Sequence, residues 1–279
     1  MKRLMAVFAH PDDEGAVAGT LARYAQEGAQ VILVCATRGE AGEISDPSLA
    51  TPENLGSVRE EELRCACAAI GISDLHLLGY CDSGMEGTEE NALATAFIQA
   101  NPDKVKSELV KIMRETRPQV VITFEPFGWY GHPDHIATGQ YATEAFRLAG
   151  DPAAYPEAGK PWQPARLFHA ALLHDFFEPM IDYAREHGLN HDFPDQFPTD
   201  REEVLTAQIT HRLNVAPYRE AKLAAMECHR TQFGDDHIFR QVPQEIMRDA
   251  NRYEYFIQVE PPLEPPPSPT EDLFAGLPG

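Results

Sequence analysis

Six apolar residues in a row, Leu4-Met5-Ala6-Val7-Phe8-Ala9, leave no solvent-facing side and predict a central strand over about residues 3 to 9. The period then changes. From Ala16 to Gln26, Val17, Leu21 and Tyr24 recur at helical spacing, and Gly28 ends the run. Val31 to Ala36 is a second uninterrupted apolar strand. Residues 57 to 70 read as a helix through Val58, Leu63, Ala66 and Ile70, closed by Gly71, and Leu75 to Leu78 as a short third strand. Lys104 to Glu115 turns Val105, Leu109, Ile112 and Met113 inward and stops before Pro118, after which Val120 to Phe124 is again strand. Strand and helix alternating at short intervals predict an α/β doubly wound sheet, a three-layer sandwich of the Rossmann-like kind with a mostly parallel centre.

The second half is less regular. Ala137 to Ala149 and Arg219 to Arg230 favour helix; Leu167 to Leu173 and Tyr253 to Val259 favour strand. Residues 150–165 and 187–200 are rich in Pro, Asp and Gly and read as long loops. Pro261-Pro262 and Pro265-Pro266-Pro267 preclude helix or central strand, so 261–279 is expected to be an extended tail, free or laid against a neighbour. The expected organisation is one domain over 1–260, with an elaborated C-terminal part, followed by that tail. No internal repeat is visible.

At 279 residues, with 43% hydrophobic and 24% charged, the chain can bury a substantial globular core. Forty-four acidic against 23 basic residues give a net charge of −21, which repels nucleic acid and anionic membranes. The first apolar stretch meets His10 and Asp12 too early for a signal peptide or a membrane span. Five cysteines, Cys35, Cys65, Cys67, Cys81 and Cys228, form no CxxC pair, and their odd number favours a reducing compartment. The expected location is cytoplasmic.

Chemistry enters where two of the strands end. The first runs into His10-Pro11-Asp12-Asp13-Glu14, the fourth into Gly131-His132-Pro133-Asp134-His135. In an α/β sheet, strand C-termini are where ligands bind. His10 and Asp13, three apart, can turn towards one point, and His132 and His135 share that spacing. A catalytic zinc takes three such N and O ligands and keeps an open position, so one of the two histidines completes a His-Asp-His site; the pattern does not say which. Asp12 lies between the presumed ligands as a general base. Read alone, His-Pro-Asp is a turn or cap, and Glu14 a favourable charge at a helix N-terminus. Two such clusters after two buried strands make coincidence the weaker account. Neither GxGxxG nor GxxxxGK[ST] occurs, so no phosphate cradle is offered.

These two motifs together resemble the LmbE-like, or PIG-L-type, zinc-dependent N-deacetylases, strongly from residue 4 to about 150 and more weakly through Lys222 to Phe233 and the closing strand. Known members remove acetyl from N-acetylglucosamine units in phosphoinositol lipid precursors and in mycothiol and bacillithiol biosynthesis. The resemblance implies His10, Asp13 and His135 as ligands of one zinc (Zn2+) per chain, with iron(II) or cobalt as alternatives for the same donors. It implies Asp12 as base, His132 as oxyanion stabiliser with Asp134 holding its ring, and Tyr130 as a group polarising the carbonyl. The loop Thr37 to Glu43, with Arg38, Glu40 and Glu43, would line a sugar pocket, and Arg59, Asp82 and His229 would contact substrate.

The bland readings stand beside these. Arg38 suits a surface ion pair, Arg59 a pair with Glu62, Asp82-Ser83-Gly84 a turn, Trp129 simple packing, and His229 a helix C-terminus. His169, His174, His187, His191, His211 and His237 lack ligand spacing. The implied function is hydrolysis of the N-acetyl group of a small polar aminosugar conjugate; the alternative is an amidase cutting a larger acyl group from a mycothiol-like thiol conjugate. The chain is expected to self-associate, as relatives do, and the 150–200 stretch to close over the pocket.

Overall fold

A computed structural model describes residues 1–189, 199–250, 252–266 and 268–278 of the chain. Its seven-stranded sheet runs β3-β2-β1-β4-β5-β7-β6, with β1 Arg3–Phe8, β2 Gln30–Thr37, β3 Asp74–Tyr80, β4 Val120–Phe124, β5 Arg166–Ala171, β6 His211–Asn214 and β7 Tyr253–Glu260. The strands from β3 to β5 are parallel; β7 runs antiparallel to both β5 and β6.

The pleat explains why the central strands are continuously apolar. Leu4, Ala6 and Phe8 of β1 face one cluster with Val31, Leu33 and Cys35 of β2, while Met5 and Val7 face another with Ile32 and Val34. The first cluster is covered by α1 (Ala18–Gln26) and α2 (Leu55–Ile70), the second by α3 (Pro102–Thr116). After β4 come a four-residue turn, α4 (Gly128–Gly131), and α5 (Pro133–Ala149), which joins α3 on the second face. Each fully buried Leu, Met or Phe there stabilises by about 1.5–3 kcal/mol. Helix ends follow local chemistry: Asn101 caps α3 by accepting from the Asp103 N–H, with Pro102 in the first helical position.

The C-terminal part adds α6 (Glu178–His187), α7 (Thr199–Gln208), α8 (Arg219–Cys228), α9 (Ile238–Gln241) and α10 (Gln244–Ala250). A third apolar cluster unites Met180 and Ile181 of α6 with Ile238, Val242 and Met247. The loop expected over 187–200, His191 included, lies mostly outside the described residues. No helix among the described residues is long and apolar enough to cross a membrane.

Three expectations are corrected. Of the 150–200 stretch, Leu172, Leu173, Phe176 and Pro179 line a cleft, whereas residues 150–165 lead into the N-terminal end of β5, at the sheet edge opposite the strand C-termini. Arg114, only 3% exposed, holds them there by donating to six carbonyls, those of Leu148, Ala149, Asp151, Ala154, Tyr155 and Gly159. The tail is not free but folds back on its own chain. Leu273 and Phe274 are buried in the first cluster, the Tyr24 hydroxyl bonds Asp272 and accepts from the Leu273 N–H, and Arg166 donates to the Leu273 and Ala275 carbonyls. Finally, Cys65 and Cys228 are joined in a disulfide tying α2 to α8 across 163 residues.

Arg114→Met should lower stability by about 3 kcal/mol, since buried carbonyls lose charged donors; denaturant unfolding measures it. Burial pushes His169 and His211 down to about 4, so both fold neutral. Their folded pKa lies below the unfolded value. The stability they contribute is therefore complete above about pH 6.5 and is lost as pH falls towards 4. The double variant His169→Gln/His211→Gln should lose less melting temperature between pH 7 and pH 5 than the wild type.

Candidate metal centre

The sequence leaves β1 in one direction for β2 and β3, and reaches β4 and β5 on β1's other side. Connections therefore diverge to opposite faces, and a crevice opens beyond the C-termini of β1 and β4. His10, Asp12 and Asp13 arrive there directly from β1. His132 and His135 arrive through the turn after β4, which Glu125 fixes by accepting from the N–H groups of Phe127 and Trp129.

Donor atoms of three side chains converge. His10 Nδ1 lies 3.1 Å from His135 Nε2, Asp13 Oδ1 3.1 Å from the same Nε2, and Asp13 Oδ2 3.6 Å from His10 Nδ1. Ligand–metal bonds of about 2.0–2.1 Å in tetrahedral geometry place donors about 3.3 Å apart, so the spacing fits a zinc ion. Each donor is also held from behind. Asp13 Oδ2 accepts from the Ala9 and His10 N–H groups at 3.1 and 2.7 Å. His10 Nε2 faces Asp134 Oδ2 at 3.2 Å and Asp82 Oδ1 at 3.4 Å, the carboxylate backing that orients a metal-binding imidazole. The His135 ring stacks on Phe124 (centroids 4.2 Å, planes 17° apart), and its Nδ1 lies 3.3 Å from the Gly128 carbonyl, leaving Nε2 for a ligand bond. Gly128 has φ +67°, and a Cβ there would sit 2.6 Å from the His135 Cβ.

His132 also brings a nitrogen to within 4.8 Å of nitrogens of His10 and His135. Its Nδ1, however, accepts from the Asp134 N–H at 3.1 Å, which leaves the proton on Nε2 and makes that atom a donor rather than a ligand. Burial, then the neighbouring His10 and His135, pushes His132 down to about 4, so it is neutral. Asp134 itself departs from expectation. Its carboxylate serves His10 and the Ser83 N–H, and only its backbone meets the His132 ring.

Asp12 sits in a backbone conformation with φ 104°, which a non-glycine residue adopts at a cost of about 1–3 kcal/mol. Two buried groups hold it. Arg59 donates from Nη2 to Asp12 Oδ2 at 3.0 Å and to the Pro11 carbonyl, while Nη1 reaches the Gly39 carbonyl. Glu14 Oε2 accepts from the Asp12 N–H, and its Oε1 lies 2.6 Å from His229 Nε2. Burial raises Asp12 to about 6, opposed by Arg59. Asp13 is lowered to about 2: burial acts to raise it, but His135 and His10 prevail.

The expected substrate contacts separate. Arg38 is half-exposed in an ion pair with Glu60 at 2.8 Å, and Glu43 is exposed. Arg59 binds neither Glu62 nor open space but Asp12; Glu62 accepts from the backbone and hydroxyl of Thr231 instead. Glu40 accepts from the Asp82 N–H, and Asp82 faces His10. His229 is buried against Glu14 rather than left at a bare helix end. Trp129 is packing, 6% exposed between Phe8, Phe124 and His135, with its indole N–H on the Ala170 carbonyl. Tyr130 is half-exposed, its hydroxyl 3.5 Å from His135 Nε2. Glu125 is not singled out by the sequence reading, and Glu14, read there only as a charge at a helix N-terminus, holds the Asp12 N–H. A carboxylate immediately after a buried strand and before Pro-Phe-Gly was the available signal for Glu125. From Asp12, Asp13, Tyr130 and His229 a cleft of about 740 Å³ extends towards β5 and β7.

The family model described as GlcNAc-PI de-N-acetylase, PIG-L, matches residues 5–146. A Streptomyces avermitilis protein named 1D-myo-inositol 2-acetamido-2-deoxy-alpha-D-glucopyranoside deacetylase is 39% identical, with 99% of this chain and 97% of that one covered. A Thermobispora bispora protein of the same name is 40% identical, covering 83% and 79%. Among solved structures, N,N'-diacetylchitobiose deacetylase from Pyrococcus horikoshii superposes with TM-score 0.66 at 20% identity, over 99% of this chain and 86% of that one. A 4-carboxy-2-hydroxymuconate hydratase from Pseudomonas putida superposes with TM-score 0.63 at 18% identity, over 98% and 100%. Those two likenesses speak for the fold, and the hydratase shows that the fold alone does not dictate a reaction. With a family model matching half its length and relatives of 39–40% identity, the chain belongs to the PIG-L family.

Proposed function

We propose that the protein is a zinc-dependent hydrolase that removes the N-acetyl group from an N-acetylglucosamine conjugate, releasing acetate and a free amine. The observation that carries this reading is the convergence of His10, Asp13 and His135 beside a carboxylate, Asp12, that is not part of the triad. Membership of the PIG-L family and relatives named as deacetylases of an inositol-linked acetamido sugar support the substrate class.

A zinc ion held by His10, Asp13 and His135 would supply Lewis acidity at the amide carbonyl. Asp12 takes the proton of the attacking water; its elevated pKa makes it a better acceptor than an ordinary surface aspartate. Arg59 fixes that carboxylate in place, and Glu14 fixes the backbone beneath it. The Nε2–H of neutral His132 donates to the carbonyl oxygen as negative charge develops there. Tyr130, at the mouth of the site, presents its hydroxyl as a second donor to the same oxygen. Arg38, Glu40 and Glu43, on the loop after β2, and Asp82 after β3 would meet the sugar; Glu43 is exposed and Arg38 half-exposed.

An acetate-release screen over N-acetylglucosamine and its inositol and malate glycosides tests the substrate class; turnover confined to non-sugar amides would overturn it. Asp12→Asn should keep about one zinc per chain by elemental analysis while kcat falls at least ~100-fold. His10→Ala should lose metal and activity together. Loss of metal from Asp12→Asn would refute the division between ligand and base. If Arg59 positions the base, Arg59→Gln lowers kcat with KM nearly unchanged, whereas a lost substrate contact would raise KM.

A further inference from the structure

The disulfide joins the two elements that support Asp12. Cys65 stands on α2, about one helical turn beyond Glu62 and about two beyond Arg59, the residue that donates to Asp12 Oδ2. Cys228 is the last residue of α8, and His229 follows it with non-helical φ −84° and ψ 60°. A helix C-terminus leaves carbonyls unpaired and frays readily. Two links oppose fraying here. One is the disulfide; the other is Glu62, which accepts from the Thr231 N–H and hydroxyl at 2.8 and 2.6 Å. Between them His229 is 1% exposed, with Nε2 2.6 Å from Glu14 Oε1, while Glu14 Oε2 accepts from the Asp12 N–H. The side chain of Asp12 is thus held through α2 and its backbone through α8, and the sulfur–sulfur bond fixes one helix to the other.

The bond is also open to solvent chemistry. Cys65 is exposed, so an external thiol can reach its sulfur. Cys35 and Cys67 are buried, and burial raises both thiols, Cys67 to about 12, so neither offers an attacking thiolate near neutral pH. We propose that the Cys65–Cys228 disulfide is a redox-responsive clamp on the base: while it is closed Asp12 is held in its working position, and its reduction by small thiols frees the end of α8 and lowers turnover. This rests on the hydrolase reading above, in which Asp12 is the base, and adds a control to it. The exchange balances. Two external thiols lose two electrons and two protons as their sulfurs join, and the Cys65 and Cys228 sulfurs each take one electron and one proton as their bond breaks. Both cysteines are positioning residues; they act through His229, Glu14 and Arg59.

The test equilibrates the zinc-loaded enzyme with oxidised or reduced glutathione and reads free thiols, zinc content and acetate release together. Three free thiols are expected in the oxidised protein and all five cysteines free in the reduced one, with zinc unchanged. On reduction kcat should fall at least ~5-fold with KM within ~2-fold, and oxidised glutathione should restore it. Cys65→Ser and Cys228→Ser should each show the reduced kcat and ignore glutathione. In His229→Gln, where the link from α8 to Glu14 is cut, kcat starts lower and reduction should change it by less than ~2-fold. A staple that only adds stability would lower the melting temperature of the cysteine variants and leave kcat alone; that result, or a bond that excess reduced glutathione leaves intact, overturns the clamp while the deacetylase reading stands. Amide hydrogen exchange reads the clamp without turnover. Faster exchange on reduction in peptides spanning residues 10–15 and 228–233 supports it even if no aminosugar amide is hydrolysed; unchanged exchange over 10–15 overturns it.

Discussion

Five carboxylates crowd into one corner of this molecule, and the pairing of each with an imidazole or a guanidinium is the constraint from which the site is built. Asp13, Asp82 and Asp134 gather on His10, Asp13 also on His135, Asp12 on Arg59, and Glu14 on His229. All these groups are buried except Asp12, whose side chain keeps about a fifth of its exposure. Unpaired, any of them would be expelled or neutralised. The partners come from the end of β1, α2, the first turn of α5 and the end of α8, so these pairs bind together elements that the hydrophobic layers merely bring near. A divalent cation at the His10–Asp13–His135 apex would relieve the same repulsion. Ligand geometry and local folding stability are thus one problem here.

Much of this was legible because the relevant residues are fixed by short-range rules. Central parallel strands are uninterrupted apolar runs, and a strand that stops at a polar cluster announces the sheet's working edge. The histidine and aspartate spacings survived intact for the same reason: they are local. What failed was long-range. Nothing within a few residues of Asp134 says that its carboxylate turns to His10, 124 positions away, and nothing near Arg59 says that it folds onto Asp12. The prolines of the tail report the absence of helix, not the absence of burial, so Leu273 and Phe274 were missed. The Cys65–Cys228 bond spans 163 residues, which no spacing rule reaches.

The same sheet in the Pseudomonas hydratase carries a different reaction, which places the weight of any functional argument on side chains. In this chain two features give the crevice its character. One is the tautomer of His132, fixed as a donor by a backbone N–H. The other is the unusual backbone of Asp12, stabilised by Arg59 and Glu14. Both are second-layer effects, and both depend on residues that do not touch the metal position.

The C-terminal segment has a consequence for the newborn chain. Leu273 and Phe274 complete the cluster beneath β1, and Tyr24 of the first helix waits for Asp272, 248 residues later. Synthesis runs from the N-terminus, so β1, β2 and β4 emerge early with one face still open to water. The strand that leads into His10 cannot be fully covered until residues 272–274 have been made and have folded back. A chain interrupted before residue 273 would therefore hold a nearly finished sheet with an exposed apolar seam.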